Sequence, residues 1–162
     1  NPHAVPSDRV IEKGDFVLMD YGAGYCDYRS DMTRTVVMGE PTQEQLDLYA
    51  LVRRTHEECV AAIHPGVEGN DIFKLSKKII GDAGYGDYYN HGLGHGVGID
   101  IHELPNFNRS KNIIEVGSVI TMEPGVYLPG VGGVRLEDYG VVTENGYEPF
   151  TKTPHDLHVI DC

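Results

Sequence analysis

A ten-residue pattern occurs twice in this chain. Ile11-Glu12-Lys13-Gly14-Asp15-Phe16-Val17-Leu18-Met19-Asp20 aligns without gaps on Ile114-Glu115-Val116-Gly117-Ser118-Val119-Ile120-Thr121-Met122-Glu123, at a constant offset of 103 residues. Each copy is a glycine turn followed by a short apolar run that closes on Met and then an acid. A short apolar run bounded by turn residues reads as a buried strand. A second acid follows each copy on a returning arm, Asp31 after Asp20 and Glu137 after Glu123. In the first copy, Ser30 to Met38 alternates as the second strand of a hairpin. Two such hairpins constrain the fold to two like halves about a pseudo-twofold axis, with the four acids converging where the halves meet.

Between the copies the periodicity is helical. Thr42 with Gln45 three residues on has the form of a capping box. Leu46, Tyr49, Ala50, Val52, Cys59, Val60 and Ile63 approximate one stripe, which ends at His64-Pro65-Gly66. A second helix, capped by Asn70 or Asp71, runs through Ile72, Phe73, Leu75, Ile79 and Ile80 to the glycines at 81 and 84. Moving this pair back by the repeat offset puts its counterpart before residue 1. The expectation is therefore an α+β chain forming one domain over 1–162, a length that buries a real core. That domain would lack the helix pair of its first half, about 60 residues by the repeat offset, and any further N-terminal domain. The sheet face so uncovered calls for a partner, a homodimer being one form.

Net charge is −12, from 13 basic and 25 acidic residues. That argues against nucleic acid as a partner, because phosphate binding needs a basic face. No apolar run has the length of a membrane span, which argues against a membrane partner. Cys26, Cys59 and Cys162 are odd in number, widely spaced and without a CxxC pair. They fit a reducing, cytoplasmic setting and no cysteine zinc site.

The stretch His91-Gly92-Leu93-Gly94-His95-Gly96-Val97-Gly98-Ile99-Asp100-Ile101-His102 is the other unusual segment. Four glycines in eight residues imply special torsions or close approach of another group. Three imidazoles among them, set against four carboxylates (Asp20, Asp31, Glu123, Glu137), suit two divalent cations. Oxygen ligands favour Mn-, Mg- or Co-like ions, and imidazole extends the set to Zn. Two such ions share carboxylate bridges and lower the pKa of a bridging water until it is a hydroxide nucleophile near neutral pH.

Six ordered motifs carry a resemblance to a known family: Met19-Asp20-Tyr21-Gly22, Asp31-Met32-Thr33-Arg34-Thr35, Gly94-His95-Gly96-Val97-Gly98, His102-Glu103-Leu104-Pro105, Met122-Glu123-Pro124-Gly125 and Val134-Arg135-Leu136-Glu137-Asp138. Together they closely resemble the pita-bread metallopeptidases, which include methionine aminopeptidase, prolidase and aminopeptidase P. The resemblance implies the pita-bread fold, a curved antiparallel pseudo-twofold sheet flanked by helices. It implies five metal ligands, with Asp20 on one ion, His95 and Glu123 on the other, and Asp31 and Glu137 bridging. Two divalent ions are implied, manganese first, with cobalt, zinc or iron as alternatives. Glu123 would also shuttle the proton of the nucleophilic water, while His3, His91 and His102 would bind the substrate carbonyl or stabilise the tetrahedral intermediate. His91 and Arg135 resemble the Xaa-Pro branch, where Arg135 would support the bridging carboxylates or the proline end of the substrate. The implied activity is hydrolysis of the bond before proline in a peptide with proline second, as a dipeptidase or an aminopeptidase P. A methionine aminopeptidase-like enzyme and a non-catalytic module of the same fold are the alternatives.

The remaining polar residues read as ordinary. His56 and His64 are expected on the surface of the first helix, and Arg109 is a candidate clamp for a substrate carboxylate. The tail after Thr151 is expected to be a short extension with His155 and His158 in solvent.

Overall fold

The computed structural model describes residues 2–108 and 111–161, so Arg109 lies outside the described residues, as does Cys162. Strand β1 (Phe16–Tyr21) is followed by a small ribbon of β2 (Gly24–Tyr25) and β3 (Tyr28–Arg29). Then β4 (Met32–Met38) returns antiparallel to β1 with Asp20 opposite Thr33. Helices α1 (Gln43–Ala61) and α2 (Gly69–Asp82) come next, then β5 (Gly94–Gly96) and β6 (Glu103–Phe107). The second repeat follows with β7 (Val119–Met122), a ribbon of β8 (Gly125–Leu128) and β9 (Gly132–Arg135), and β10 (Asp138–Thr143). The chain ends through β11 (Gly146–Pro149) and β12 (His158–Ile160).

The duplication in sequence is therefore a duplication in topology. In both halves a strand ending beside an acid pairs antiparallel with a later strand, and a two-stranded ribbon fills the gap between them. The returning partner of β7 is β10, with Asp138 opposite Met122, so Glu123 and Glu137 sit just beyond the paired segment. The halves join along β4, where Thr33 forms a bridge with Glu137. On one side lies the sheet β1-β4-β12, and on the other β11-β10-β7-β5-β6.

The helices close one face. Thr42 caps α1 through the expected box, its Oγ1 accepting from the Gln45 amide at 3.2 Å while Gln45 Oε1 accepts from the Thr42 amide at 2.9 Å. The far half of α1, the connection after it and helix α2 pack Cys59, Ile63 and Ile72 respectively against Leu93, Phe107, Ile114, Ile120, Met122 and Val142. The near half packs Leu48, Tyr49 and Val52 against Val126, Val134 and Leu136 of the β8–β9 region. Helix α2 starts two to three residues earlier than expected, with Glu68 rather than Asn70 or Asp71 at the N-cap position and no side-chain cap. The Gly69 amide donates instead to Asn112 O at 2.8 Å, and the Asn70 amide group is spent on Asn108 O.

Two further expectations fail. His56 is not on the surface: it is 2% exposed, on the α1 face that carries Val52 and Cys59 into the core. The tail after Thr151 is not a loose extension, because β12 adds parallel to β4 and extends the first sheet. His155 belongs to that docked tail and bonds Asp138, so it is not simply solvated, whereas His64 and His158 are exposed as expected. The outer face of β1 is open, with Met19 and Tyr21 38% and 55% exposed. Among the described residues no helix is long and apolar enough to cross a membrane.

Candidate metal centre

His95 occupies the middle of β5, and the glycines beside it explain how it gets there. A Cβ on Gly94 would stand 2.2 Å from Thr121 O, and one on Gly96 2.5 Å from Leu104 O. Neither glycine has a positive φ. The run is rich in glycine because β7 and β6 close in on the backbone from both sides. No ligand is needed to account for it. The His95 amide donates to Thr121 Oγ1 at 3.1 Å, and its ring Nδ1 lies 3.0 Å from Gly96 O. The carbonyl requires a proton on Nδ1, which leaves Nε2 as a bare lone pair.

That lone pair faces carboxylates. His95 Nε2 is 3.6 Å from Asp31 Oδ2 and 3.5 Å from Glu123 Oε1. Asp31, His95 and Glu137 offer ligand atoms that all lie within 4.8 Å of one another. Asp31 precedes β4, while Glu123 directly follows β7 with its amide bonded to Leu93 O at 2.8 Å. Glu137 is 2% exposed, and its Oε2 accepts from Thr33 Oγ1 at 2.6 Å. Asp20 is the outermost acid, its side chain 45% exposed, and Arg135 Nη2 donates to its Oδ2 at 2.5 Å. The four acids expected to converge are thus brought to one place around His95.

Burial and mutual repulsion leave Asp31, Glu123 and Glu137 hard to ionise. Burial, then the nearby Asp20, pushes Asp31 up to about 6. Glu123 is pushed to about 8 by burial, against the pull of Arg135 and with Asp31 and Asp20 adding to the rise. Glu137 is held well above the ordinary carboxylate range by burial and then by Glu123 and Asp31. Arg135 supplies a single positive charge, 3.8 Å from Glu123 Oε2. Four acids and an imidazole lone pair around one guanidinium form a donor set that is complete only with added cationic charge. The residues fit a divalent metal pair, and the Nδ1–H···O=C bond of His95 is the usual outer support of a ligating histidine.

The other histidines divide. His102 is exposed at the rim, its ring centroid 4.3 Å from that of His95. Burial lowers the pKa of His91 to about 4, so its ring is neutral. Its Nδ1 lies 2.7 Å from Gly92 O and its Nε2 3.0 Å from Tyr127 Oη. Tyr127 in turn accepts from Arg135 Nη1 at 2.8 Å. His91, Tyr127, Arg135 and Asp20 therefore form one hydrogen-bonded chain. His3 lies near enough for its charge to act on His91, and Arg135 Nη1 also donates to Pro2 O at 3.1 Å. Tyr127 and Thr33 were not among the expected site residues. The available signal was a phenol in a fully apolar strand, since a buried hydroxyl needs a partner.

The model of the metallopeptidase family M24 matches residues 1–144. An Xaa-Pro dipeptidase of Pyrococcus furiosus is 45% identical over 157 residues, which is 96% of this chain and 45% of that protein. Among solved structures, the prolidase of Pyrococcus horikoshii superposes with a TM-score of 0.93 at 43% identity, covering 97% of this chain and 46% of the other. The X-Pro aminopeptidase of Thermotoga maritima superposes with a TM-score of 0.94 at 36% identity, covering 98% and 46%. The chain thus spans a little under half the length of the relatives it matches, and its fold is the expected pita-bread fold.

Proposed function

This chain belongs to metallopeptidase family M24, and on that premise we propose that it carries the centre of a dinuclear-metal exopeptidase that hydrolyses the peptide bond before proline. One observation carries the reading: a lone-pair nitrogen of His95 aimed at two carboxylates, inside a cluster of four acids with one guanidinium. The relatives named above as Xaa-Pro dipeptidase and X-Pro aminopeptidase supply the substrate class.

In this proposal Asp20, Asp31, His95, Glu123 and Glu137 hold two divalent ions, manganese first. A bound pair supplies the Lewis acidity that activates water and polarises the scissile carbonyl. The residues do the rest. Glu123, its carboxylate 3.5 Å from His95 Nε2, takes the proton of the attacking water and returns it to the leaving proline nitrogen. His102, exposed beside His95, meets the carbonyl oxygen as charge develops there. His91 has both ring nitrogens engaged, so it acts through Tyr127, fixing Arg135 and with it the position of Asp20. Thr33 holds Glu137 in the rotamer that faces His95.

The test is cleavage of Ala-Pro, Ala-Pro-Ala and Met-Ala with added Mn2+, on this chain and on the same protein extended upstream. Cleavage of the proline peptides but not Met-Ala is expected, with dipeptide against tripeptide deciding the class. Glu123→Ala should abolish turnover with far-UV circular dichroism unchanged. Two bound ions without cleavage in either form would overturn the peptidase reading and leave a binding module. Methionine release from Met-Ala would replace it with the other branch.

A further inference from the structure

A second group of metal-type donors lies on the opposite side of the seam and contributes no donor to the centre just described. His56 on α1, Asp138 at the start of β10 and His155 in the tail offer ligand atoms within 4.8 Å of one another. His155 Nε2 is 2.6 Å and His56 Nε2 3.5 Å from the same oxygen, Asp138 Oδ2, and the two rings meet edge-on with centroids 4.8 Å apart. Both ring nitrogens of His56 are buried with no hydrogen-bond partner. A buried polar group without a partner is costly, and a native structure gives it a reason.

We propose that His56, Asp138 and His155 form a binding site for one zinc-like divalent cation that clamps the tail segment to α1 and β10. Donors about 2.0–2.1 Å from a tetrahedral ion stand about 3.3–3.4 Å from each other. The 3.5 Å from His56 Nε2 to Asp138 Oδ2 is already at that spacing. His155 has to open by less than 1 Å from its present 2.6 Å, and its side chain, 23% exposed on a tail segment, is free to do so. It binds as the tautomer protonated on Nδ1, and water from that exposed side completes the tetrahedron. Burial keeps the His56 imidazole neutral, its pKa lowered to about 4, so its lone pair is available at neutral pH. The opposing charge is Arg34, which occupies the other oxygen, Asp138 Oδ1, at 2.7 Å and leaves Oδ2 to the histidines. Two neutral imidazoles and one carboxylate are a borderline-soft set, which selects zinc over magnesium or calcium.

Zinc content per chain after equilibrium dialysis, read by plasma mass spectrometry, tests this on the whole chain, on His56→Gln, on His155→Gln, and on Asp31→Asn/Glu137→Gln. The parent should hold one zinc more than either histidine variant. The Asp31→Asn/Glu137→Gln chain should keep that ion while losing the others, which separates this site from the centre at His95. Zinc should also raise the melting temperature of the Asp31→Asn/Glu137→Gln chain, and adding His155→Gln should remove that rise. His155→Gln changes a partly exposed residue and so reports even where His56→Gln fails to fold. Equal zinc in the parent and a folded His155→Gln would overturn the proposal and leave a hydrogen-bonded triad.

Discussion

Replacing Glu123 with Gln should stabilise the metal-free protein as pH rises, because Glu123 is a buried acid whose ionisation the fold opposes. Its carboxyl is raised from 4.5 to about 8, by burial first. A group whose folded pKa lies above its unfolded one stabilises fully below the unfolded value, and that stability is lost as pH rises towards the folded value. One independent group moved from 4.5 to about 8 costs on the order of 3.5 kcal/mol between pH 5 and 8. Glu137 is shifted in the same direction, so the parent falls more steeply than this. His56 and His91 act in the opposite sense. Both are lowered from 6.5 to about 4 by burial, so their contribution is present above 6.5 and is lost as pH falls towards 4. The comparison between parent and Glu123→Gln cancels them.

Urea unfolding in EDTA at half-unit steps from pH 5 to 8, followed by far-UV circular dichroism, measures the difference directly. We expect the stability of Glu123→Gln relative to the parent to grow by about 2–4 kcal/mol across that range. Excess Mn2+ should stabilise the parent most at pH 8, where the acids must ionise, and the variant much less. A difference between parent and variant that stays constant from pH 5 to 8 would refute the reasoning.

Gly94→Ala places a Cβ 2.2 Å from Thr121 O, so β5 and β7 must separate; a loss above about 3 kcal/mol in urea is expected, with weakened metal binding in titration calorimetry. Arg34→Ala leaves Asp138 buried without its guanidinium and frees the Thr153 and Pro154 carbonyls that now accept from Arg34; about 3–5 kcal/mol should be lost, together with faster proteolysis of the tail. Tyr127→Phe removes the hydroxyl between His91 Nε2 and Arg135 Nη1; about 1 kcal/mol of stability should be lost in urea, and if the peptidase reading holds, kcat should fall more than KM rises.

Much of the centre was legible because its acids sit at repeat-related positions, and period-2 strands fix which face a strand end presents. The duplicated Met-acid ending, with a second acid on each returning arm, was enough to bring Asp20, Asp31, Glu123 and Glu137 together. The glycine run was legible only in part: a sequence does not distinguish a glycine needed for torsion from one needed for close approach, and here Gly94 and Gly96 serve approach alone. His56 was misread for a physical reason. It lies one turn from Val52 and one residue from buried Thr55, so helical spacing alone puts it on the inner face. What the sequence hides is its neighbour Asp138, 82 residues later. The tail was misread because β12 has three residues and no resolvable periodicity. Its place is decided by the bonds that Arg34 extends to it.

The two clusters are linked by the alternation of a single seam. Along β4, Thr33 turns its hydroxyl to Glu137 and the centre, while Arg34 beside it turns its guanidinium to Asp138 and the tail. Across the seam Glu137 and Asp138 make the matching choice, and Arg34 Nη1 also bonds the Glu137 carbonyl at 2.7 Å. Successive side chains on extended backbone point to opposite faces, so a seam that carries ligands on one face has adjacent positions free on the other. Those positions are filled by a buried ion pair, which costs desolvation but fixes one register. A one-residue slip would turn Glu137 to the tail and Asp138 to the centre. The Arg34–Asp138 pair opposes that slip, so the docked tail belongs to what keeps Glu137 facing His95.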